Sequence, residues 1–226
     1  MMCDGLFLTS LFDQLIAFDK QLLLQVNGSE SLYLDRLIRI LTNAVTWIPL
    51  YISLFYIVIR NNETAAKILL VLAGAGLCVF FAGSLDDMIV KPTVARWRPT
   101  HDPEIGLLVD IVDGYRGGKY GFFSAHAANT FSIAVYFCWL VRSKLLSLSL
   151  VLWSFTNCYT RLYLGVHYPG DILVGLTWGF IVGTAVYFFI RRFTPGKIRY
   201  ERRDADIPVT VLVLTLIYAL IKACIV

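Results

Sequence analysis

Six runs free of charged residues, each closed by a charge or a histidine, constrain this chain more than any other feature. They occupy about 40–59 (between Arg39 and Arg60), 68–85 (Lys67 to Asp86), 127–141 (His126 to Arg142), 145–160 (Lys144 to Arg161), 172–190 (Asp171 to Arg191) and 207–221 (Asp206 to Lys222). A helix needs about 20 predominantly apolar residues, with a range of roughly 17–25, to cross a bilayer core. The shorter runs reach that length once flanking Lys and Arg side chains stretch to the interface. Apolar residues make up 58% of the 226-residue chain, against about 45–50% in an ordinary soluble domain, which excludes a disordered or conventional soluble protein. The expected fold is all-α: one domain over residues 1–226, a polytopic six-transmembrane helix bundle.

The first 27 residues lack the basic n-region and small-residue cleavage site of a signal peptide. They carry apolar residues at Leu8, Leu11, Phe12, Leu15, Ile16, Leu22, Leu23 and Val26, close to helical spacing. This pattern predicts an N-terminal interfacial helix over 1–27 with Asp4, Asp13, Asp19 and Lys20 toward water, ended by Asn27-Gly28. The joints 60–67, 142–144 and 191–206 share one side of the membrane. They hold Arg60, Lys67, Arg142, Lys144, Arg191, Arg192, Lys197, Arg199, Arg202 and Arg203, ten of the chain's 20 basic residues. The positive-inside tendency makes that side cytoplasmic, so both termini and the joints 86–126 and 161–171 face outward. A net charge of +4 spread this way excludes nucleic acid as a partner, since that would need a concentrated basic face. The five cysteines show no CxxC or Cys/His spacing and read as small buried hydrophobes, giving neither a disulfide framework nor a zinc site.

All three histidines, His101, His126 and His167, fall in or beside the two outward joints. Lys91, Arg98, Ser124, Arg161 and Asp171 lie there too, at or near span ends, so a bundle would gather them at one level. A lysine, two arginines, a hydroxyl and the amides of a helix start at Ser124 and Ala125 suit a tetrahedral phosphate dianion. Two histidines supply a nucleophile and a proton donor, and Asp171 can fix the tautomer of one of them. A site this basic repels Mg²⁺ or Zn²⁺ and lacks a carboxylate cluster, so no metal and no cofactor is expected.

These residues fall into three ordered motifs: Lys91-PTVARW-Arg98-Pro99, Phe123-Ser124-Ala125-His126, and Thr160-Arg161-LYLGV-His167-YPG-Asp171. In this the sequence resembles the type 2 phosphatidic acid phosphatase (PAP2) superfamily, relatives of bacterial acid phosphatases and vanadium haloperoxidases. Phe123, Ala125 and Thr160 stand where the family pattern has Pro, Gly and Ser, and none of these departures removes a titrating group. The resemblance implies that His167 attacks phosphorus to form a phosphohistidine while Asp171 holds it. It implies that His126 protonates the leaving group and then activates water, with Lys91, Arg98, Ser124, the Ala125 N–H and Arg161 on the phosphoryl oxygens. Pro169 suits a first helical turn, which predicts His167 in the loop before the fifth span and Asp171 within that span's first turn.

Around this core, Arg96, Arg116 and Lys119 read as solvated loop or headgroup contacts and His101 as a surface residue. An Asp87 to Lys91 pair at i,i+4 would support Lys91. Gly74, Gly76, Gly83, Gly175 and Gly179 read as sites of close helix packing. The implied substrate is a lipid phosphate reached from the membrane lipids, at the outer face of a bacterial inner membrane. Lipid A, the anchor of lipopolysaccharide, is preferred, with undecaprenyl diphosphate, phosphatidylglycerol phosphate and phosphatidic acid as alternatives. The Gly-rich outward loop 100–123 could shape headgroup choice. An anion transporter is disfavoured because the spans carry almost no ionisable groups, and a silent lipid-binding scaffold because His126, His167 and Asp171 are all present.

Overall fold

The computed structural model describes residues 2–194 and 200–225, and among them the only strand-like pairing is a single bridge between Trp97 and Tyr120. The rest of the regular structure is helical: α1 Met2–Val26, α2 Leu32–Thr42, α3 Ile48–Arg60, α4 Ala65–Val94, α5 Ala125–Val141, α6 Lys144–Tyr163, α7 Pro169–Phe193 and α8 Arg202–Ile225. Lys197 and Arg199, and the side chains of Asp4, Leu8 and Phe12, lie outside the described residues. Among those described, α4, α7 and α8 are each long and apolar enough to cross a membrane. The count becomes four if α2 and α3 form one bent span. α5 is apolar but shorter, and α6 is diluted by Ser147, Ser154, Asn157 and Thr160.

The run 40–59 is not one straight helix. Asn43 adopts an extended conformation, donates its N–H to Ile40 and accepts from the Val45 N–H through its side chain, so it closes α2 and opens a 3-10 turn over Ala44–Trp47. The chain bends by 66° there before α3 begins, with Pro49 in the first turn, where its missing N–H costs nothing. The C-terminal part of α4 also departs from regularity, passing through π-helical stretches at Phe80–Ser84 and Asp86–Val90 before a last turn at Lys91–Val94. The wider turns re-aim the side chains that follow, and both Asp86 and Asp87 end on Lys91.

α7 packs on α5 through a stripe of glycines one turn apart. A Cβ added at Gly175, Gly179 or Gly183 would lie 2.7, 2.6 or 2.5 Å from the carbonyl oxygens of Ser124, Ala128 and Ser132 respectively. Only glycine lets the two backbones approach this closely. Gly74 and Gly83 admit Tyr136 and Asn129 in the same way, whereas nothing lies within 4 Å of a Cβ at Gly76, so the packing role expected there is withdrawn. α1 ends at Val26, and Gly28, at φ +65°, gives its N–H to Tyr163. Asp19 and Lys20 correct the sequence reading: their side chains are only 14% and 16% exposed, turned toward the segment after α4 and the start of α7 rather than to water.

Gly179→Ala should destabilise the detergent-solubilised protein by about 1–3 kcal/mol, the usual cost of overpacking a tight contact. Gly76→Ala should leave thermal unfolding unchanged or slightly improved, Ala being the better helix former by about 1 kcal/mol. Equal melting temperatures for the two variants would refute the backbone-contact account.

Candidate active site

The two helix starts carry the centre of the site. At α7, Tyr168 is the extended N-cap, Pro169 opens the helix and Asp171 sits in its first turn, accepting the Tyr168 N–H on Oδ2 at 3.0 Å. His167 precedes the cap in the loop, the arrangement predicted from Pro169. At α5, Ser124 is the N-cap and its Oγ accepts from the Ala127 N–H. The Ser124 N–H donates to the Asp171 carbonyl at 3.1 Å, which ties the two starts together. The first-turn amides of Ala125 and His126 have no partner a helix can supply internally and lie at its positive dipole end.

His167 is 1% exposed and held between two groups. Its Nε2 lies 3.2 Å from Arg98 Nη1, and its Nδ1 faces Asp171 Oδ2 at 3.6 Å, longer than a hydrogen bond. Arg98 reaches there from the segment after α4. Its Nε donates to the Tyr120 carbonyl at 3.0 Å and Nη1 also to the Val166 carbonyl at 3.2 Å. Gly121 makes room, since a Cβ there would stand 2.9 Å from the Arg98 side chain. Arg161, in the last turn of α6, donates to Thr42 Oγ1 at 2.6 Å and to the Tyr115 hydroxyl at 3.1 Å. His126 is partly buried at the start of α5, amid the positive charges of Arg161, Arg98 and Lys91.

The cations differ in how they are balanced. Lys91 pairs with buried Asp86 at 3.0 Å and with Asp87, and Asp86 also accepts from the Phe123 N–H at 3.2 Å. Arg98 and Arg161, 9% and 2% exposed, contact carbonyls, hydroxyls, an imidazole and the Tyr115 ring, with no carboxylate within ion-pair distance among the described residues. Removing a guanidinium from water costs several kcal/mol, so roughly that much is left for an anion to recover. Burial and the nearby Arg98, Arg161 and Lys91 charges hold the His167 imidazole well below its ordinary range, hence neutral at neutral pH with an unprotonated nitrogen. Burial and the facing Arg161 likewise lower Arg98. Burial alone would raise the Tyr115 phenol, but Arg161, Arg98 and Arg39 outweigh it and bring it below its usual value.

The eight residues singled out from sequence thus gather at one end of the bundle, with Lys91 turned to its carboxylates. Arg96 is a correction. The sequence reads it as a solvated loop or headgroup contact, but it bridges Asp19 and Asp171, 2.7 Å from each. Arg116 and Lys119 are exposed as expected, and partly buried His101 contacts Thr100 Oγ1 at 3.1 Å. Thr42 and Tyr115 were not anticipated, because neither lies in a motif and only the fold brings the end of α2 and the long loop onto Arg161. For Arg96 there was a signal: it stands two residues from Arg98 in the same short segment. Among the described residues no group of three His, Cys, Asp or Glu is placed to hold a metal ion.

Comparison with known proteins matches residues 64–195 to the family model described as the PAP2 superfamily. A protein of Bacteroides thetaiotaomicron named lipid A 4'-phosphatase is 42% identical over 193 residues, 84% of this chain and 82% of that one. A Porphyromonas gingivalis protein of the same name is 32% identical over 177 residues, 77% and 74% of the two chains. A decaprenylphosphoryl-5-phosphoribose phosphatase of Mycobacterium tuberculosis is 37% identical over 114 residues, 50% of this chain and 57% of its own. No solved structure matches.

Arg161→Met should leave the melting temperature of the unliganded protein unchanged or raise it, because an unbalanced buried charge is replaced by an apolar group of similar length. The same variant should lose most of the stabilisation given by inorganic phosphate, which for an intact site at 100 times Kd amounts to about 2.7 kcal/mol. A large fall in the unliganded melting temperature would show Arg161 to be balanced after all.

Proposed function

The chain belongs to the PAP2 superfamily and is a phosphatase, and we propose that it hydrolyses a lipid phosphate, lipid A before other candidates, through a phosphohistidine on His167. The observation that carries this reading is the pair of buried arginines without counter-charge beside a neutral, buried imidazole. A phosphate dianion entering there would take the Arg98 and Arg161 N–H groups and the free amides of Ala125 and His126. It would also part Arg98 from His167 Nε2, leaving that lone pair aimed at phosphorus while Nδ1–H stays on the Asp171 side.

The chemistry then runs in two displacements. Nε2 attacks phosphorus and the P–O bond to the lipid breaks, while His126, protonated once the bound phosphate has offset the Arg98, Arg161 and Lys91 charges around it, gives its proton to the departing oxygen. Neutral His126 next takes a proton from water, whose oxygen attacks phosphorus, and the P–N bond breaks to release phosphate and restore His167. Arg98, Arg161, Lys91, Ser124 and the α5 amides stabilise the charge spread over the equatorial oxygens in both transition states. No metal is required, because fixed cations already do the electrostatic work.

The wider setting is part of the same proposal. All of 1–226 forms one domain, with α2–α3 and α4 to α8 as six spans and α1 lying in the interface. The basic joints face the cytoplasm, and the site opens toward the periplasm of a bacterial inner membrane. Helices α5 and α6 are short or polar for a span, but each is flanked by Arg or Lys able to snorkel. Lipid A leads because two relatives covering most of the chain carry that activity in their names. A polyprenyl-linked phosphate is the second reading, supported by the mycobacterial relative, named for a decaprenylphosphoryl-5-phosphoribose substrate, over half the chain.

Purified protein in EDTA should release inorganic phosphate from lipid A faster than from undecaprenyl diphosphate, phosphatidylglycerol phosphate or phosphatidic acid, and His167→Ala should abolish release and trapped phosphoenzyme together. Phosphoenzyme that persists in His167→Ala would remove the nucleophile assignment, and activity restored only by Mg²⁺ would remove the metal-free mechanism. In a background lacking the native cysteines, a membrane-impermeant thiol reagent added from outside should label Leu107→Cys, at a fully exposed loop position, and spare Glu63→Cys in the α3–α4 joint. The reverse pattern would invert the orientation.

A further inference from the structure

Two adjacent residues of α1 reach the two sides of Tyr168, the residue between His167 and the start of α7. On one side, Asp19 Oδ1 accepts the Gly170 N–H and Oδ2 accepts Arg96 Nη2, both at 2.7 Å. Arg96 Nη1 then donates to Asp171 Oδ1 at 2.7 Å, with the guanidinium lying 4.2 Å from the centre of the Tyr168 ring. On the other side, Lys20 pairs with Asp102 at 2.9 Å, and Asp102 accepts the Tyr168 hydroxyl at 2.7 Å. Asp171 is fully buried, and Arg96 is the one side chain among the described residues that donates to it.

The Asp171 carboxylate can rotate about its Cβ–Cγ bond, and its orientation decides which oxygen meets His167 Nδ1. The Tyr168 N–H holds Oδ2 from one direction and Arg96 holds Oδ1 from the other, so Oδ2 is left facing the imidazole. Arg96 can do this only while its fork is held in register. Its two Nη atoms serve two different carboxylates, and Asp19 supplies the second. We propose that Arg96 is a positioning residue for the Asp171–His167 pair and that Asp19 holds Arg96 in place, so that the N-terminal helix is part of the catalytic device. This rests on His167 being the nucleophile.

The test is single-turnover kinetics of the full-length protein in detergent, with enzyme in excess over phenyl phosphate, a monoester that asks nothing of the lipid pocket. At saturating enzyme the rate constant reports the competence of each active molecule, and the phenol burst measured separately with substrate in excess gives the amplitude that counts active molecules. Asp19→Asn keeps an acceptor for the Gly170 N–H but loses the charge that holds Arg96. It should slow the rate constant about tenfold with amplitude and KM within about twofold, well inside what a misplaced catalytic group costs. Asp19→Glu should recover most of the rate. Arg96→Lys should be at least as slow as Asp19→Asn, because one ammonium replaces a fork that reaches two carboxylates. An Asp19→Asn variant with the parent rate constant, whether or not its amplitude falls, would overturn the proposal and reduce α1 to a folding support. His167→Ala in the same assay separates the two levels. If it turns over, the nucleophile reading fails; if it is dead while Asp19→Asn keeps the parent rate, only this inference fails.

Discussion

Backbone contact between α5 and α7 is the constraint on which the rest depends. Glycines at 175, 179 and 183 bring α7 against the carbonyls of α5 at successive turns, and the contact ends where both helices begin. There the Ser124 N–H meets the Asp171 carbonyl. Two N-termini therefore open side by side with their positive dipole ends together, and the unsatisfied first amides of α5 lie next to the loop that carries His167. Side-chain packing of ordinary bulk would separate the helices by several ångström and divide the site between them.

Charge is distributed around this junction unequally, and the inequality has chemical content. Arg96 and Lys91 stand at the edge of the cluster and each is neutralised by two carboxylates. Arg98 and Arg161, nearer His167 and Tyr115, are neutralised by none. The outer pairs build a rigid frame, while the inner arginines keep an unmet demand for negative charge in a poorly solvated space. The same field keeps the His167 imidazole neutral, so under the proposed mechanism one arrangement would both attract an anion and prepare the lone pair that attacks it. Such a pocket is costly to the empty protein, a familiar form of the trade between stability and activity.

Much of this was legible in the sequence. Charge-free runs located the apolar helices, Pro169 located the start of α7, and three short motifs collected the residues that meet at the junction. What escaped depended on long-range contact. Asn43 breaks the first run because its side chain caps the next turn, a local preference hidden inside an apolar stretch. Asp19 and Lys20 read as the polar face of an amphipathic helix, since nothing in α1 tells that Arg96 and Asp102 await them some eighty positions later. Arg96 looked like one more loop cation because sequence shows charge without showing its counter-charge. Gly76 read as a packing site and meets nothing, whereas Gly183 meets the Ser132 carbonyl, because spacing puts glycines on a stripe and only the neighbouring helix decides which of them are used.

Asp171 carries more than one duty with four atoms. One oxygen closes the turn that starts α7, the other is held by Arg96, and the imidazole is left a longer approach to an oxygen already in use. An amide at this position would still accept from the Tyr168 N–H, but its NH₂ would confront the Arg96 guanidinium. A glutamate would carry the charge past the cap it must make. Neighbouring substitutions that satisfy one duty violate another, so the position offers no stepping stone to variation.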